Sequence, residues 1–439
     1  MAMPSGSIGS AVSGTRRATA SSRLVNIDAL RGFVMVLMLL DHLRETWFVN
    51  YMVTDPIDAR TILPAIGFAR FAVSFCAPIF IALTGLGVYL YSINHTVEET
   101  TSYLLKRGFL LMAIEVFYLS PLYWGIAPQP TFWLQVIWCI GLCMIALALL
   151  MRLPRPMLIA LGLFVVCFHN LLDPIRLTPQ DTLFPLWAML HQRDVIALPF
   201  GFVAKTTYPI LPWLGVISLG FAAGAWFRPE VAPETRQHRL LVLGFGMIAI
   251  FILLRLLNVY GDKPWFVVAG DPVRTVISFI SLTKYPPSLL FLLPTLGGGA
   301  LLLVLFERIS TSQLVSGLAV FGGAPMFFYL LHLTVLRILY TGALAIWGPN
   351  NGEAYMFDSY YWMALARHSG AAIRQPRDAS HRVLPSGAGA PAQHVAGAAT
   401  SNQNAECGAY AGLAGTAGRS IRRTLSCAGF LPISQLHLQ

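Results

Sequence analysis

The sequence predicts an all-α fold: a polytopic bundle of about nine transmembrane helices. Three observations predict it. Of 439 residues, 56% are hydrophobic and only 11% are charged, whereas a soluble domain carries about 25% charged residues. The apolar residues gather into runs of about 20, the length that crosses a bilayer. Lys and Arg recur in the short segments between runs, as in loops held on one side of a membrane.

Apolar length and flanking charge place the spans near 27–48, 68–92, 103–123, 132–151, 156–172, 208–227, 239–259, 286–306 and 324–347. Arg16, Arg17 and Arg23 precede the first span. With the N-terminus cytoplasmic, short inner loops hold Lys106 with Arg107, Arg152 with Arg155, Arg228 with Arg236 and Arg239, and then Arg308. Longer loops near 49–67, 173–207 and 260–285 then face outward. They contain Trp187, His191, Trp265, Tyr285 and several prolines, which suits ordered segments capping a cavity.

The ends of the chain differ from its middle. Residues 1–22 are rich in Ser, Gly, Ala and Arg, are expected to be a disordered N-terminal segment, and lack the short apolar core of a cleavable signal. The membrane domain is expected over 23–362. From 363 to 439 the composition is Ala, Gly, Ser, Pro and Arg with no apolar period, which cannot bury a core and predicts disorder. Arg367, Arg374, Arg377, Arg382, Arg419, Arg422 and Arg423, against Asp378 and Glu406, give half of the net charge of +10. No nucleic-acid partner follows from that charge. Two readings of the tail stay open: a natural flexible segment, or an aberrant one replacing a tenth span lost to a frameshift. Tyr355-Met-Phe-Asp358 looks like the approach to such a helix. Cys76, Cys139, Cys143 and Cys167 lie in apolar runs and are expected to pack as free thiols. No His or carboxylate joins Cys139 and Cys143, so no metal site is expected.

The first span carries the most information. Residues 26–48 read NIDALRGFVMVLMLLDHLRETWF, with Asp28, Arg31, Asp41, His42 and Arg44 in or at the ends of an apolar helix. A charge in hydrocarbon costs at least about 2.5–3.5 kcal/mol on insertion scales, so such groups face a protein interior or a wet cavity. At about 100° per residue, Asp28, Arg31 and His42 share one stripe, and Asp28 and His42 lie ~21 Å apart along the axis. The first helix is therefore expected to line a site.

These residues resemble a known family. Asp28-x-x-Arg31-Gly32, an apolar run and Asp41-His42-x-Arg44 are similar to the bacterial membrane proteins related to heparan-α-glucosaminide N-acetyltransferase. Tyr208-Pro-Ile-Leu-Pro-Trp213, Asn258-Val-Tyr-Gly-Asp262 with Trp265, Lys284-Tyr-Pro-Pro-Ser288 and Phe327-Phe-Tyr-Leu-Leu-His332 extend the resemblance to about residues 23–358. It implies an integral protein of the bacterial inner membrane that moves an acyl group, typically acetyl from acetyl-CoA, to a sugar or other cell-envelope acceptor. Acetyl-CoA would be a co-substrate, with no tightly bound cofactor. Membrane lipid, the acyl-CoA donor and a saccharide are the implied partners, and oligomerisation stays open. The catalytic histidine of the eukaryotic relatives lies in a loop with no aligned counterpart here, so the site is assigned on chemistry.

Acyl transfer from a thioester needs a base for the acceptor's proton, or a nucleophile acylated first. Imidazole does either near neutral pH, which makes His42 the catalytic candidate. Asp41 points about 100° away from it on a helix; Glu45, or Glu115 from the third span, could reach it. Arg31 is a candidate clamp for the CoA phosphates, or the partner of Asp28 or Glu115 in an ion pair. Lys106 and Arg107 either assist at the inner face or anchor the loop. Arg44 is expected to guide the acceptor, and Lys284, Tyr285, Asp41 and Asp28 to contact substrate. Arg255, Asn258 and Asp262 form an outer polar cluster that binds the acceptor or ties a loop down. His332 is a second cavity histidine or a helix-packing group. His169 with Asn170 is expected to cap the fifth span, and His191 lies in an outer loop. The prolines after Tyr285 are expected to open the eighth helix, and Gly297–Gly299 to permit close helix packing. Two other functional classes fit a polar intramembrane stripe: a transporter and a non-catalytic membrane partner protein.

Overall fold

The computed structural model describes residues 11–47, 55–124 and 131–347. The predicted tail, the approach at Tyr355–Asp358 and the boundary after 362 lie outside the described residues. In chain order the helices are α1 (Ala11–Trp47), α2 (Pro64–Val73), α3 (Cys76–Ser92), α4 (Val97–Ile114), α5 (Val136–Leu150), α6 (Arg155–Phe168), α7 (Phe184–Leu190), α8 (Leu211–Ala223), α9 (Pro233–Leu257), α10 (Pro272–Ile280), α11 (Leu289–Arg308), α12 (Gln313–Gly322) and α13 (Pro325–Trp347). Each of the nine predicted spans falls on a helix. Among the described residues five continuous helical segments are long and apolar enough to cross a membrane: Pro64–Ser92, Arg155–Leu172, Pro233–Leu257, Leu289–Arg308 and Pro325–Ala343. The other spans depart for physical reasons. α1 carries the charged stripe, α4 continues as a π-helix over Glu115–Trp124 with Lys106, Arg107 and Glu115 along it, and α5 and α8 are shorter.

Small residues let the helices approach. A Cβ on Gly108 or Gly141 would meet the other's carbonyl where α4 crosses α5, and Gly244 and Gly297 do the same for α9 and α11. Gly298 accommodates the Phe75 ring and Gly299 the Ile79 side chain, as expected for close packing. Gly32 of the Arg-Gly pair lies against the Leu318 carbonyl of α12, and Gly322 against the Asp28 carbonyl of α1. Among the described residues one large apolar core gathers around Trp213, Leu104 and Phe291 and another around Val34, Met35 and Val304, with a small cluster of Ala59, Ile62 and Ile277 apart from them.

Four local expectations are corrected. The fourth span begins at Val136, because Thr131–Leu134 forms β1, which pairs in parallel with β3 (Val203–Thr206). β2 (Val195–Ala197) pairs antiparallel with β3, giving the order β1-β3-β2. With α7, these strands make the 173–207 connection an ordered one. The prolines after Tyr285 precede α11 rather than opening it; Ser288 is the N-cap, accepting from the Phe291 amide. Asn170 donates to Asp173 (3.1 Å) and accepts from the Leu289 amide (2.9 Å), so it serves the start of α11 rather than the end of its own helix. Arg236, expected in a short inner loop, lies in α9 instead, buried and bonded to Glu307 of α11 (Nε–Oε2 3.1 Å).

Candidate active site

A cavity of about 400 Å³ runs along α1. At one end it is lined by Arg31, Tyr91, Tyr103 and Arg107, and at the other by Asp41, His42, Tyr208, Lys284 and Tyr329. Arg31 and His42 of the polar stripe read from the sequence thus open on a single space. Arg31 and His42, eleven residues apart on one helix, mark ends about 16 Å apart. Arg31 pairs with Asp28 at 2.6 Å and lines the cavity as well. Gly87 of α3 leaves room for it: a Cβ there would sit 3.2 Å from the Arg31 Nη2. Arg107 lines the same end and donates to the Tyr103 hydroxyl at 3.0 Å, while Lys106 is exposed.

At the other end, one carboxylate gathers three cations. Asp41 lies 3.0 Å from Arg44, 3.7 Å from Arg70 and 3.6 Å from Lys284. Burial disfavours the Lys284 ammonium, but the neighbouring Tyr285 hydroxyl and Asp41 carboxylate prevail and hold its pKa above the usual lysine range. Arg44 also reaches Glu45 at 3.4 Å. Asp55, from the connection before α2, accepts the backbone amides of Lys284 (3.2 Å) and Tyr285 (3.1 Å). Burial raises the Asp55 pKa despite those bonds.

His42 pairs with a histidine rather than a carboxylate. Its Nδ1 lies 2.7 Å from Nε2 of His332 on α13. The rings are 6° from parallel with centroids 5.0 Å apart; nitrogens this close at that centroid separation put the rings edge to edge in one plane, not face to face. His332 Nδ1 is 2.7 Å from the Phe328 carbonyl, one turn back. Because a carbonyl only accepts, His332 donates from Nδ1 and accepts at Nε2. His42 therefore donates from Nδ1, and its Nε2 is the basic nitrogen. The expected reach of Glu45 or Glu115 to His42 is replaced by this contact. Glu45 is paired with Arg44, and Glu115 is buried beneath α5, accepting the Trp138 amide at 3.4 Å. The N-cap residue of that helix makes no side-chain cap, so Glu115 meets its orphan amides.

A second cavity, of about 650 Å³, lies among the long connections and is lined by Asp55, Asn170, Asp173, His191, Arg193, Asp262 and Tyr285. Lys284 faces the first cavity and Tyr285 the second, and the Tyr285 hydroxyl is 3.3 Å from that of Tyr208. Lys284, Tyr285, Tyr208 and Asp55 thus form a thin partition between the two. His191 donates to Asp173 at 3.0 Å. Burial opposes the Asp173 carboxylate, but the bonds from His191 and Asn170 outweigh it and lower its pKa.

The expected polar cluster at the end of α9 divides. Arg255 is buried and donates to the carbonyls of Lys263 (2.6 Å), Phe279 (2.8 Å), Ser278 (2.9 Å) and Ser281 (3.0 Å). Asn258, left-handed at φ 54° as the C-cap, exchanges hydrogen bonds with the backbone of Trp265. Both tie the loop down. Asp262 holds the next turn by accepting from Thr283 and Ser288, and it also lines the second cavity. Sequence reasoning missed Arg70 and Asp55, and it named Tyr208 and Tyr329 only within motifs, with no role in the site. For Arg70 the signal was present, an arginine inside an apolar run.

No curated protein matches this sequence. Residues 23–254, more than half of the chain, match the family model described as heparan-alpha-glucosaminide N-acetyltransferase, catalytic; the chain belongs to that family, and at that level it is an integral membrane protein of the acetyltransferase type.

Proposed function

We propose that the protein transfers an acetyl group from acetyl-CoA to a sugar or other cell-envelope acceptor, with His42 as the base or acyl carrier. The observation that carries this reading is the cavity joining Arg31 and Arg107 at one end to His42 and Lys284 at the other. Arginines suit the phosphates of a nucleotide, and a largely apolar passage suits the extended arm of a thioester. In the direct route, His42 Nε2 takes a proton from an acceptor amine or hydroxyl as it attacks the thioester carbonyl. The new amide or ester bond forms, the carbon–sulfur bond breaks, and the proton passes to the leaving thiolate. In the stepwise route His42 is acylated first. Lys284, a cationic member of the partition, is placed to stabilise the oxyanion of the tetrahedral intermediate.

The second cavity is the acceptor's approach in this reading, with Asp262, Tyr285 and Asp55 on its wall, and the acceptor passes the Tyr285–Lys284 partition to meet His42 in the first. The N-terminus is cytoplasmic, the donor enters at the Arg31 end, and the acceptor arrives from the outer face of a bacterial inner membrane. Basic residues in the short connections support that orientation.

Thioester turnover tests the reading. Protein in nanodiscs receives acetyl-CoA with a panel of amino sugars and envelope glycans, and free CoA is followed for wild type and His42→Ala. Acceptor-dependent release that the substitution abolishes is the expected result. A folded protein with no release and no CoA binding refutes it, and solute flux without thioester loss would favour a transporter instead.

A further inference from the structure

We infer that His332 is a positioning residue, which fixes the tautomer of His42 so that Nε2 carries the lone pair facing the reaction. The inference rests on the acyl-transfer reading of His42. It is carried by two hydrogen bonds that permit only one proton arrangement. The Phe328 carbonyl, 2.7 Å from His332 Nδ1, accepts and cannot donate. The proton of a neutral His332 therefore sits on Nδ1, and its Nε2 is the acceptor that meets His42 Nδ1 at 2.7 Å. The near-parallel rings keep this bond in the plane of both imidazoles, where the nitrogen lone pair points.

The backbone makes the arrangement stiff. Phe328 and His332 are one turn apart on α13, and the Phe328 ring lies 5.1 Å from that of His332 at 24°. Tyr329, on the same helix, meets both imidazoles edge-on at 5.9 Å and 5.6 Å. A carboxylate commonly orients a catalytic imidazole. Here the nearest carboxylate in sequence, Asp41, is committed to Arg44, Arg70 and Lys284. A neutral imidazole orients His42 without a further buried negative charge to compensate.

The test compares wild type with His332→Leu, which has no acceptor, and His332→Gln, whose amide oxygen can take the same N–H. One readout is independent of catalysis: 15N NMR of histidine-labelled protein in nanodiscs, with the His42 signals identified by their loss in His42→Asn. Wild type is expected to show His42 protonated at Nδ1, and His332→Leu to move the proton to Nε2. In acetyl-CoA turnover, His332→Leu should lower kcat by about 10²-fold or more, the direction expected of a wrong tautomer. KM for donor and acceptor should stay within about threefold, since the residue touches neither, and His332→Gln should recover most of kcat. A His42 that remains Nδ1-protonated in His332→Leu overturns the positioning role at any activity. A tautomer that flips while kcat holds also overturns it, and removes His42 as the base. If wild type turns over no thioester, the acyl-transfer reading falls, while the spectra still decide the pairing.

Discussion

Asp41→Asn is the perturbation whose consequence the structure fixes most closely. The substitution keeps shape and removes one negative charge from among Arg44, Arg70 and Lys284, at 3.0, 3.7 and 3.6 Å. With an effective dielectric constant of about 20, each pair is worth roughly 4–6 kcal/mol before the cost of desolvating the ions. The four side chains are only 9–18% exposed, so screening by water does little to reduce that. Most of the gross attraction is offset by desolvation, and breaking a buried pair from one side costs about 3–5 kcal/mol. Asp41→Asn should therefore lose about 3–5 kcal/mol, measured by unfolding in mixed micelles followed by tryptophan fluorescence. Lys284→Met removes one of the cations left stranded. The double variant should be more stable than the sum of the single losses predicts, with a coupling of about 0.5–3 kcal/mol. Additivity within about 0.5 kcal/mol would show that Asp41 and Lys284 do not share an ion cluster, and the description of the site would be wrong.

Other predictions address the scaffold. Gly32→Leu drives a side chain into the Leu318 carbonyl at the α1–α12 crossing. It should cost more than the about 1–3 kcal/mol of ordinary overpacking, because backbone cannot yield as a side chain does; a variant that melts with wild type refutes the crossing. Arg255→Met removes donors from four loop carbonyls. Amide exchange over 263–281 should rise while the body of α9 stays protected, and unchanged exchange would show that the arginine does not hold the loop. Lys205 is partly buried beside Arg193 and over the Trp133 ring, with its pKa pulled down to about 8, chiefly by burial. The amine is therefore expected to lose its proton, and become reactive to acylating reagents, with a midpoint near pH 8. Peptide mass spectrometry after brief labelling would show it, and a midpoint near pH 10 would contradict the burial. Between pH 8 and the unfolded value of about 10.4 the unfolded chain binds the extra proton, so this residue makes stability rise with pH across that window.

What the sequence discloses about this molecule depends on which solvent each residue would otherwise meet. In the bilayer an unpaired charge has no alternative partner, so Asp28, Arg31, Asp41 and His42 in an apolar run point to a site by their position in the chain alone. The same logic applied to Arg70 leads to Asp41, because an arginine inside the second span needs a carboxylate within reach. The pairing of His42 with His332 joins residues 290 apart in sequence. Periodicity along each helix gives the face that a residue occupies, but not which helix lies opposite, so the second histidine is visible and its role is not. Short elements escape for another reason. α12 has ten residues and β1 four, below the length at which a run of apolar residues separates a span from a buried fragment. In the connections, water is an available partner, and polarity loses its meaning as a signal. Arg255 and Asn258 read on composition as either an acceptor-binding cluster or a loop tie, and composition does not choose; both are consumed by backbone groups that the loop would otherwise bury unpaired. A polar residue in this chain thus signals chemistry in proportion to the cost of its surroundings. That proportion ranks the His42 end of the cavity above the loop cluster as the candidate site for the proposed chemistry.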